Sequence, residues 1–270
     1  LRSLVGSEMC IRDRTMVEPD RQGRGQMALF SSIEDRARVE SEPYAARDVP
    51  ATIYQAVTRT QERFGSRPAV SFQLLSDPHS RSCTLTWTEL HERVTEAANL
   101  FRDLGVGPGD CVAYLLPNCP EAVVTLLGGA TAGIVNPINP LLEAEHIAGI
   151  LRETRAKVLV TLKAFPKTDV AQKAADAVAL APNVKSILQV DLNRYLAPPK
   201  KWLVPLLRPR IKAAHKARVM DFEGAVARHR HDALSFEDRP EDRVAAYFHT
   251  GGTTGTPKLA QHKASGMIYN

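Results

Sequence analysis

The segment from residue 84 to residue 190 alternates strand-like and helix-like stretches, and this alternation constrains the fold more than any other feature of the sequence. Three short apolar runs within it are typical of buried strands. They are "CVAYLL" (111–116), "KVLVT" (157–161) and "VKSILQV" (184–190). Because helix-like stretches separate these runs, the sequence predicts an α/β fold with a mostly parallel sheet that is flanked by helices.

The clearest predicted helix precedes the first of these strands. Its apolar residues recur at spacings of four and three, which places them on one face of the helix. They are Leu90, Val94, Ala97, Phe101 and Leu104. Thr86 and Glu89 have the spacing of a capping box at its start, and Gly105 supplies a left-handed stop at its end.

Other parts of the chain differ from this central segment in composition. Residues 1–14 resemble translated adaptor sequence, and residues 15–48 are charged and weakly periodic, which predicts a mobile lead-in with order beginning near Thr52. Residues 49–270 are then predicted to be the N-terminal portion of one large domain. Within it, residues 196–232 are predicted to form a basic insertion, since four prolines interrupt the periodicity there.

Composition and charge bound the classes of protein to which the chain can belong. With 270 residues and 44% hydrophobic composition, the chain can bury a core. The net charge of +5 arises largely from one local cluster, so it does not indicate a nucleic-acid partner. Four cysteines without CxxC pairing are typical of a reducing compartment, which favours a cytoplasmic location. No apolar run reaches the roughly 18 residues that a membrane-spanning helix needs.

A second informative feature is the segment "HTGGTTGTPK", residues 249–258, which directly follows the strand-like run "RVAAYF". A strand that leads into a glycine-rich turn directs consecutive backbone N–H groups toward one point, as anion-binding nests do. Glycine permits close approach, threonine hydroxyls donate hydrogen bonds and lysine adds a positive charge. The composition therefore predicts a polyphosphate loop. A flexible linker or a tight hairpin is the alternative, and the Gly-Lys-Ser/Thr of a Walker loop is missing.

Two blocks of the sequence resemble the adenylate-forming superfamily, which includes the acyl-CoA synthetases. "HTGGTTGTPK" is similar to the phosphate loop of that family, and residues 84–161 are similar to its N-terminal region, including the turn "VGPGD" and the step "LPN". The version of the loop and its continuation found here, "GGTTGTPKLAQH", resembles acyl-CoA synthetases more closely than peptide-synthetase adenylation domains. Three residues depart from the family pattern. His249 replaces an aromatic residue, Gly251 replaces a serine and Leu259 replaces a glycine.

The resemblance implies a reaction in two steps. In the first, ATP with Mg²⁺ activates a carboxylic acid, which is a fatty acid or another acyl acid, to an acyl adenylate. In the second, coenzyme A converts the acyl adenylate to acyl-CoA. The resemblance also implies that the loop holds the phosphates. The residues concerned are Thr250, Gly251, Gly252, Thr253, Thr254, Gly255, Thr256 and Lys258. Of these, Thr254 and Lys258 are the candidates for a catalytic role, and no metal ligand is assigned. His262 is a candidate for a substrate contact, with a position on a helix surface as the alternative.

The family's adenine-binding, hinge and C-terminal-domain motifs lie downstream of the phosphate loop. The resemblance therefore implies a chain truncated at its C terminus, and we expect the 270 residues alone to form neither adenylate nor thioester. A non-catalytic module that binds a nucleotide or a membrane surface is the alternative. Residues 200–218 are the candidate for a membrane-surface contact, since they combine basic and apolar residues, and a solvated insertion is the other interpretation.

Overall fold

The computed structural model describes residues 32–43, 46–77, 80–249 and 258–269. The chain divides into two compact units, residues 1–48 and residues 49–270. The first unit contains helix α1, Ile33–Glu40, in the region that the sequence predicts to be a mobile lead-in. Ser32 caps this helix by accepting a hydrogen bond from the N–H of Asp35, and no residue of the helix is buried. The cap, rather than an apolar stripe, marks the helix, which explains why periodicity misses it.

The second unit is built from helices α2 to α9 and strands β1 to β9. The helices are Ile53–Phe64 (α2), Trp87–Asp103 (α3), Pro120–Ala132 (α4), Ala144–Glu153 (α5), Val170–Ala179 (α6), Lys200–Leu203 (α7), Phe222–Val226 (α8) and Ala264–Tyr269 (α9). The strands are Pro68–Gln73 (β1), Ser82–Thr86 (β2), Cys111–Leu115 (β3), Ile134–Pro137 (β4), Val158–Leu162 (β5), Ser186–Val190 (β6), Arg218–Asp221 (β7), Val244–His249 (β8) and Leu259–Lys263 (β9). None of the described helices is both long and apolar enough to cross a membrane.

Strands β1 and β2 form an antiparallel ribbon, and the other described strands form one sheet in the order β7-β6-β5-β3-β4-β8-β9. Each neighbouring pair from β7 to β8 is parallel, and β9 runs antiparallel to β8. The predicted fold class is confirmed. Because β3 lies between β4 and β5, the connections through α4 and α5 run in opposite directions. Right-handed crossovers then place α4 on one face of the sheet and α5 and α6 on the other. The packing of α3 on α4 and of α5 on α6 agrees with this arrangement.

Helix α3 follows the sequence prediction at both ends. The hydroxyl of Thr86 accepts a hydrogen bond from the N–H of Glu89 at 3.2 Å, and the Glu89 carboxylate accepts one from the N–H of Thr86 at 2.7 Å. This capping box begins the helix, and Gly105, with φ of +83°, lies beyond its end. Val94 and Phe101 are completely buried in the core. The local signals therefore agree with the packing of the helix.

The region 196–232 contains more regular structure than the sequence analysis predicts. Strand β7 pairs parallel with β6, and Phe222 of α8 is completely buried in the core. With only four residues, "RVMD", β7 is too short and too polar to give a periodic signal, as is common for the outer strand of a sheet. The long connection from β6 to β7, residues 191–217, lies outside the sheet.

Candidate functional site

The predicted polyphosphate segment connects β8 to β9. These strands are antiparallel neighbours in which His249 pairs with Leu259, so the segment joins the two arms of a hairpin. The polyphosphate role of this connection stays a prediction. The candidate residues Thr250, Gly251, Gly252, Thr253, Thr254, Gly255 and Thr256 lie outside the described residues. Lys258 is described, and it is exposed immediately before β9.

The connection leaves the sheet at the edge where the parallel strands end. β8 pairs parallel with β4 through Val135 and Ala246. Next to this pair, the completely buried side chain of Asn136 donates a hydrogen bond of 2.9 Å to the carbonyl of Tyr247. The carboxyl ends of β3, β4 and β8 therefore lie at one edge of the sheet. Open parallel sheets bind their ligands at this edge, which agrees with the predicted role of the loop.

His249, the last residue of β8, is half-buried, and both nitrogens of its imidazole are inaccessible to solvent. Neither of its ring nitrogens has a hydrogen-bond partner among the described residues. Burial lowers the pKa of His249 below its usual 6.5, although the charge of Glu153 opposes this effect. The imidazole is therefore neutral at pH 7, and it adds no positive charge next to the loop. Lys258, at the other end of the connection, supplies such a charge.

His262 lies in β9, so the alternative that places it on a helix surface is wrong. Its ring packs edge-on against the ring of Phe248, with 5.0 Å between the centroids and 79° between the planes. Phe248 belongs to β8 and precedes the residue that leads into the loop. The contact places His262 beside the hairpin arm that carries the loop, and its role as a substrate contact stays a prediction.

Five side chains that the sequence analysis does not single out form a polar network, which we call the carboxyl-edge network. They are Arg93, Glu121, Arg194, Tyr195 and Glu223. Glu121, in the first turn of α4, is 1% exposed and accepts hydrogen bonds from the Tyr195 hydroxyl at 2.7 Å and from Arg194 at 3.3 Å. Arg194 also contacts Glu223, which accepts two hydrogen bonds from Arg93, at 2.8 and 2.5 Å. The network therefore joins α3, α4, α8 and the segment after β6.

Charge and burial act together in this network. Burial, reinforced by the negative charge of Glu121, raises the pKa of Tyr195, so that its hydroxyl stays protonated and donates. Burial opposes the ionisation of Glu223, but the hydrogen bonds and charges of Arg93 and Arg194 outweigh it and lower the pKa of Glu223 below its usual 4.5. One local signal exists in the sequence, a glutamate directly after Pro120 at a helix start. Its partners are distant in sequence, so no motif reveals the network.

The lowered pKa of Glu223 predicts how this network contributes to stability at different pH values. A carboxyl whose pKa is lower in the folded than in the unfolded state stabilises the fold above its unfolded pKa, and this contribution is lost as the pH falls. We expect Glu223→Gln to lower the free energy of unfolding by about 2 kcal/mol at neutral pH, because Arg93 and Arg194 lose their shared carboxylate. The difference from the wild type should shrink between about pH 5 and pH 3.

Urea unfolding followed by circular dichroism at several pH values measures this difference. Glu237→Gln is the matched control, because Glu237 pairs with Arg239 while 73% of its side chain is exposed. We expect that control to change the free energy of unfolding by less than about 0.5 kcal/mol. A Glu223→Gln effect that stays constant down to about pH 3 would contradict the assigned pKa direction.

The described cysteines, Cys83, Cys111 and Cys119, are free thiols, as predicted. Cys119 directly precedes α4 and is buried. Burial, with a further contribution from the charge of Glu121, raises the pKa of Cys119 to about 12, so the thiol is not a nucleophile at neutral pH. Among the described residues no group of three or more His, Cys, Asp or Glu side chains is arranged to hold a metal ion.

Comparison with protein families decides to which family this sheet and its loop belong. The family described as "AMP-binding enzyme" matches residues 57–270. The chain belongs to the AMP-binding enzyme family. The resemblance of the loop and of residues 84–161 to adenylate-forming enzymes is thereby confirmed.

This AMP-binding chain is similar to several curated CoA ligases. It is 31% identical over 243 residues to the marinolic acid–CoA ligase of Pseudoalteromonas sp. (strain SANK 73390), covering 88% of this chain and 33% of that protein. It is 31% identical over 216 residues to the long-chain-fatty-acid–CoA ligase of Bacillus subtilis (strain 168), covering 77% of this chain and 35% of that protein. The chain thus spans about a third of the length of these relatives.

A solved structure shows the same fold. The acetoacetyl-CoA synthetase from Streptomyces lividans matches this AMP-binding chain with a TM-score of 0.63 at 24% identity, covering 80% of this chain and 31% of the other. At this identity the match establishes the architecture of the sheet and its helices. It carries no information on the substrate.

Proposed function

We propose that this chain carries the ATP-phosphate loop of an ATP-dependent acid–CoA ligase. In this reaction a carboxylate attacks the α-phosphate of ATP and forms an acyl adenylate and pyrophosphate, and the thiol of coenzyme A then displaces AMP. One observation carries the proposal: a glycine- and threonine-rich connection that ends at Lys258 leaves a parallel sheet at the carboxyl ends of its strands. Membership of the AMP-binding enzyme family supports the same reaction class.

The residues of the loop act by position and charge in this proposal. A carboxylate is a weak nucleophile and pyrophosphate is a highly charged leaving group, so orientation and charge neutralisation lower the barrier more than proton transfer does. The hydroxyls of Thr250, Thr253 and Thr254 and the backbone N–H groups of the glycines donate to the β- and γ-phosphates. Lys258 neutralises charge on the same phosphates, together with the Mg²⁺ that accompanies ATP.

We further propose a fatty acid or another acyl acid as the carboxylate substrate. Two of the similar proteins are named as ligases of long-chain fatty acids and of marinolic acid. Others are named as acetyl-coenzyme A synthetases, so the length of the acyl chain varies among the proteins that this chain resembles. The proposal is therefore made at the level of an acyl acid.

Binding of an inorganic polyphosphate tests the loop separately from the rest of the reaction. We expect the 270-residue chain to bind magnesium tripolyphosphate, measured by isothermal titration calorimetry, and Lys258→Ala to weaken this binding about ten-fold, which corresponds to about 1.4 kcal/mol. Lys263→Ala is the matched control. Lys263 lies on β9, five residues further along the same hairpin, and its side chain is 64% exposed.

The comparison of the two lysine variants decides between a specific site and a general effect of charge. The proposal predicts that Lys263→Ala binds like the wild type, because Lys263 lies outside the loop. If both substitutions weaken tripolyphosphate binding equally, the binding depends on the net charge of the hairpin and not on a specific site. Undetectable binding by the wild-type chain would overturn the assignment of the loop.

A further inference from the structure

The segment between β6 and β7 exposes four large apolar side chains within six residues, which we call the 202–207 patch. They are Trp202 (68% exposed), Leu203 (50%), Leu206 (81%) and Leu207 (65%). α7 and the 3₁₀ turn Val204–Leu207 carry them. Exposed apolar residues that are scattered singly are ordinary, but a contiguous cluster of this kind marks an interaction surface.

The patch is held outward by contacts on the opposite side of its segment. Val204, which lies between the exposed residues in sequence, is 8% exposed. The Asn193 side chain donates a hydrogen bond of 3.1 Å to the carbonyl of Lys201, and Arg208 donates one of 2.6 Å to Asp191. The segment is therefore fixed to the body of the domain before, within and after the patch. Its apolar side chains project from a supported surface rather than from an unattached turn.

All four side chains are exposed to solvent, although the segment changes from an α-helix to a 3₁₀ turn within the patch. α7 ends at Leu203 and residues 204–207 form a 3₁₀ turn, so the exposure of each side chain, rather than a helical period, identifies the apolar side. Val204 falls on the side that packs on the protein. The segment is thus amphipathic, with its apolar side turned toward solvent.

Basic residues flank the 202–207 patch in the sequence. Between residues 196 and 218 the sequence has seven Lys or Arg residues and no Asp or Glu. Six of them are exposed: Lys200, Lys201, Arg210, Lys212, Lys216 and Arg218. Since the whole chain has a net charge of +5, the remainder of the chain is slightly negative. The excess positive charge of the protein is therefore concentrated in the segment that carries the patch.

We propose that the 202–207 patch docks the protein on an anionic lipid bilayer. Trp202 and the three leucines insert into the boundary between headgroups and acyl chains, while the lysines and arginines contact the lipid phosphates. The apolar side chains of the segment match the acyl-chain layer of such a bilayer, and its basic side chains match the anionic headgroup layer. A second copy of the chain fits less well, because two patches with the same positive charge repel each other. This inference is independent of the proposed ligase reaction.

Vesicle flotation with a matched pair of leucine substitutions tests this proposal. We expect the wild-type chain to float with vesicles of phosphatidylcholine and about one third phosphatidylglycerol, and about ten-fold less with phosphatidylcholine alone. Leu206→Ser combined with Leu207→Ser should lower the bound fraction about five-fold or more. Leu141→Ser is the control, since Leu141 is 81% exposed, like Leu206, but lies outside the patch.

Tryptophan fluorescence gives a second measurement at the patch itself. In a Trp87→Phe background the emission reports on Trp202, because the sequence has two tryptophans. We expect a blue shift when anionic vesicles are added and none with neutral vesicles. Unchanged urea midpoints would show that the serine variants fold like the wild type, as expected for exposed side chains.

Three results would overturn the proposal. In the first, the Leu206→Ser/Leu207→Ser chain floats as well as Leu141→Ser. In the second, the wild-type chain does not bind anionic vesicles, and the wild type and the serine variant bind heparin equally well. This result would indicate a general polyanion-binding surface. In the third, the wild-type chain forms concentration-dependent dimers that the serine substitutions dissociate while neither chain binds vesicles, which would indicate an interface between copies.

Discussion

Replacing Gly133 with alanine is expected to destabilise the native fold of the domain strongly. Gly133 connects the end of α4 to β4 and lies against the turn that precedes β3. A Cβ at this position would lie 2.5 Å from the carbonyl oxygen of Asp110 and 2.7 Å from that of Gly107. Both contacts are with backbone atoms, which cannot rotate away as a flexible side chain can. We expect a destabilisation of at least about 4 kcal/mol, a large part of the stability of an ordinary domain.

The chain provides a control for this substitution in another glycine. Gly149 lies inside α5, and a Cβ built there has no neighbour within 4 Å. Gly149→Ala should therefore stabilise the protein by about 0.5–1 kcal/mol, since alanine favours the helix. Urea unfolding followed by circular dichroism measures both variants. A Gly133→Ala chain within about 1 kcal/mol of the wild type would mean that the turn at Gly107 moves aside more easily than its backbone contacts indicate.

Replacing Arg243 with methionine is expected to have the second-largest effect, because Arg243 satisfies the buried end of α4. Its guanidinium donates hydrogen bonds to the carbonyls of Ala130 at 2.6 Å, Thr131 at 2.9 Å and Gly133 at 2.5 Å. The last turn of α4 has no basic residue of its own, and its final carbonyls need donors. Burial lowers the pKa of Arg243 below its ordinary value, but an arginine guanidinium stays charged at neutral pH. A residue that directly precedes β8 therefore caps the helix and joins α4 to the strand that leads into the loop.

We expect Arg243→Met to lower the free energy of unfolding by about 3–5 kcal/mol, because three carbonyls lose a charged donor. Arg243→Lys should recover part of this loss, since an ammonium group donates hydrogen bonds but lacks the planar fork. The control is Arg239→Met. Arg239 is 67% exposed and pairs with Glu237, so its loss should cost less than about 0.5 kcal/mol. Equal destabilisation by both methionine variants would contradict the capping role.

The parts of the fold that the sequence predicts are those encoded locally. α3 carries its cap at Thr86 and Glu89, its apolar stripe and its stop at Gly105 within about 20 consecutive residues, so sequence and structure agree over its whole length. β7 has four residues with charged ends, which is too little for a pattern, and the sequence analysis assigns it to an insertion. α1 is also missed, because it has a cap but no buried residue.

The candidate site divides in the same way. The loop is recognisable because its glycines, threonines and Lys258 are consecutive, and because the strand before it is apolar. The carboxyl-edge network is not recognisable, since Arg93 and Glu223 are separated by 130 positions and meet only when α3 packs on α8. The contact of Arg243 with Ala130 has the same character, across 113 positions. Long-range pairs of this kind depend on the completed sheet, and no short segment specifies them.

The central claim is that the loop between β8 and β9 holds a polyphosphate through its backbone N–H groups. A ¹H–¹⁵N NMR titration of a chain labelled with ¹⁵N-glycine and ¹⁵N-threonine, with magnesium tripolyphosphate, tests it most directly. We predict that the largest amide shifts occur at Gly251, Gly252, Gly255 and the adjacent threonines, while Gly149 and Gly224 are unaffected. Saturable shifts confined to glycines and threonines outside residues 250–256, or no saturable shift at all, would contradict the claim.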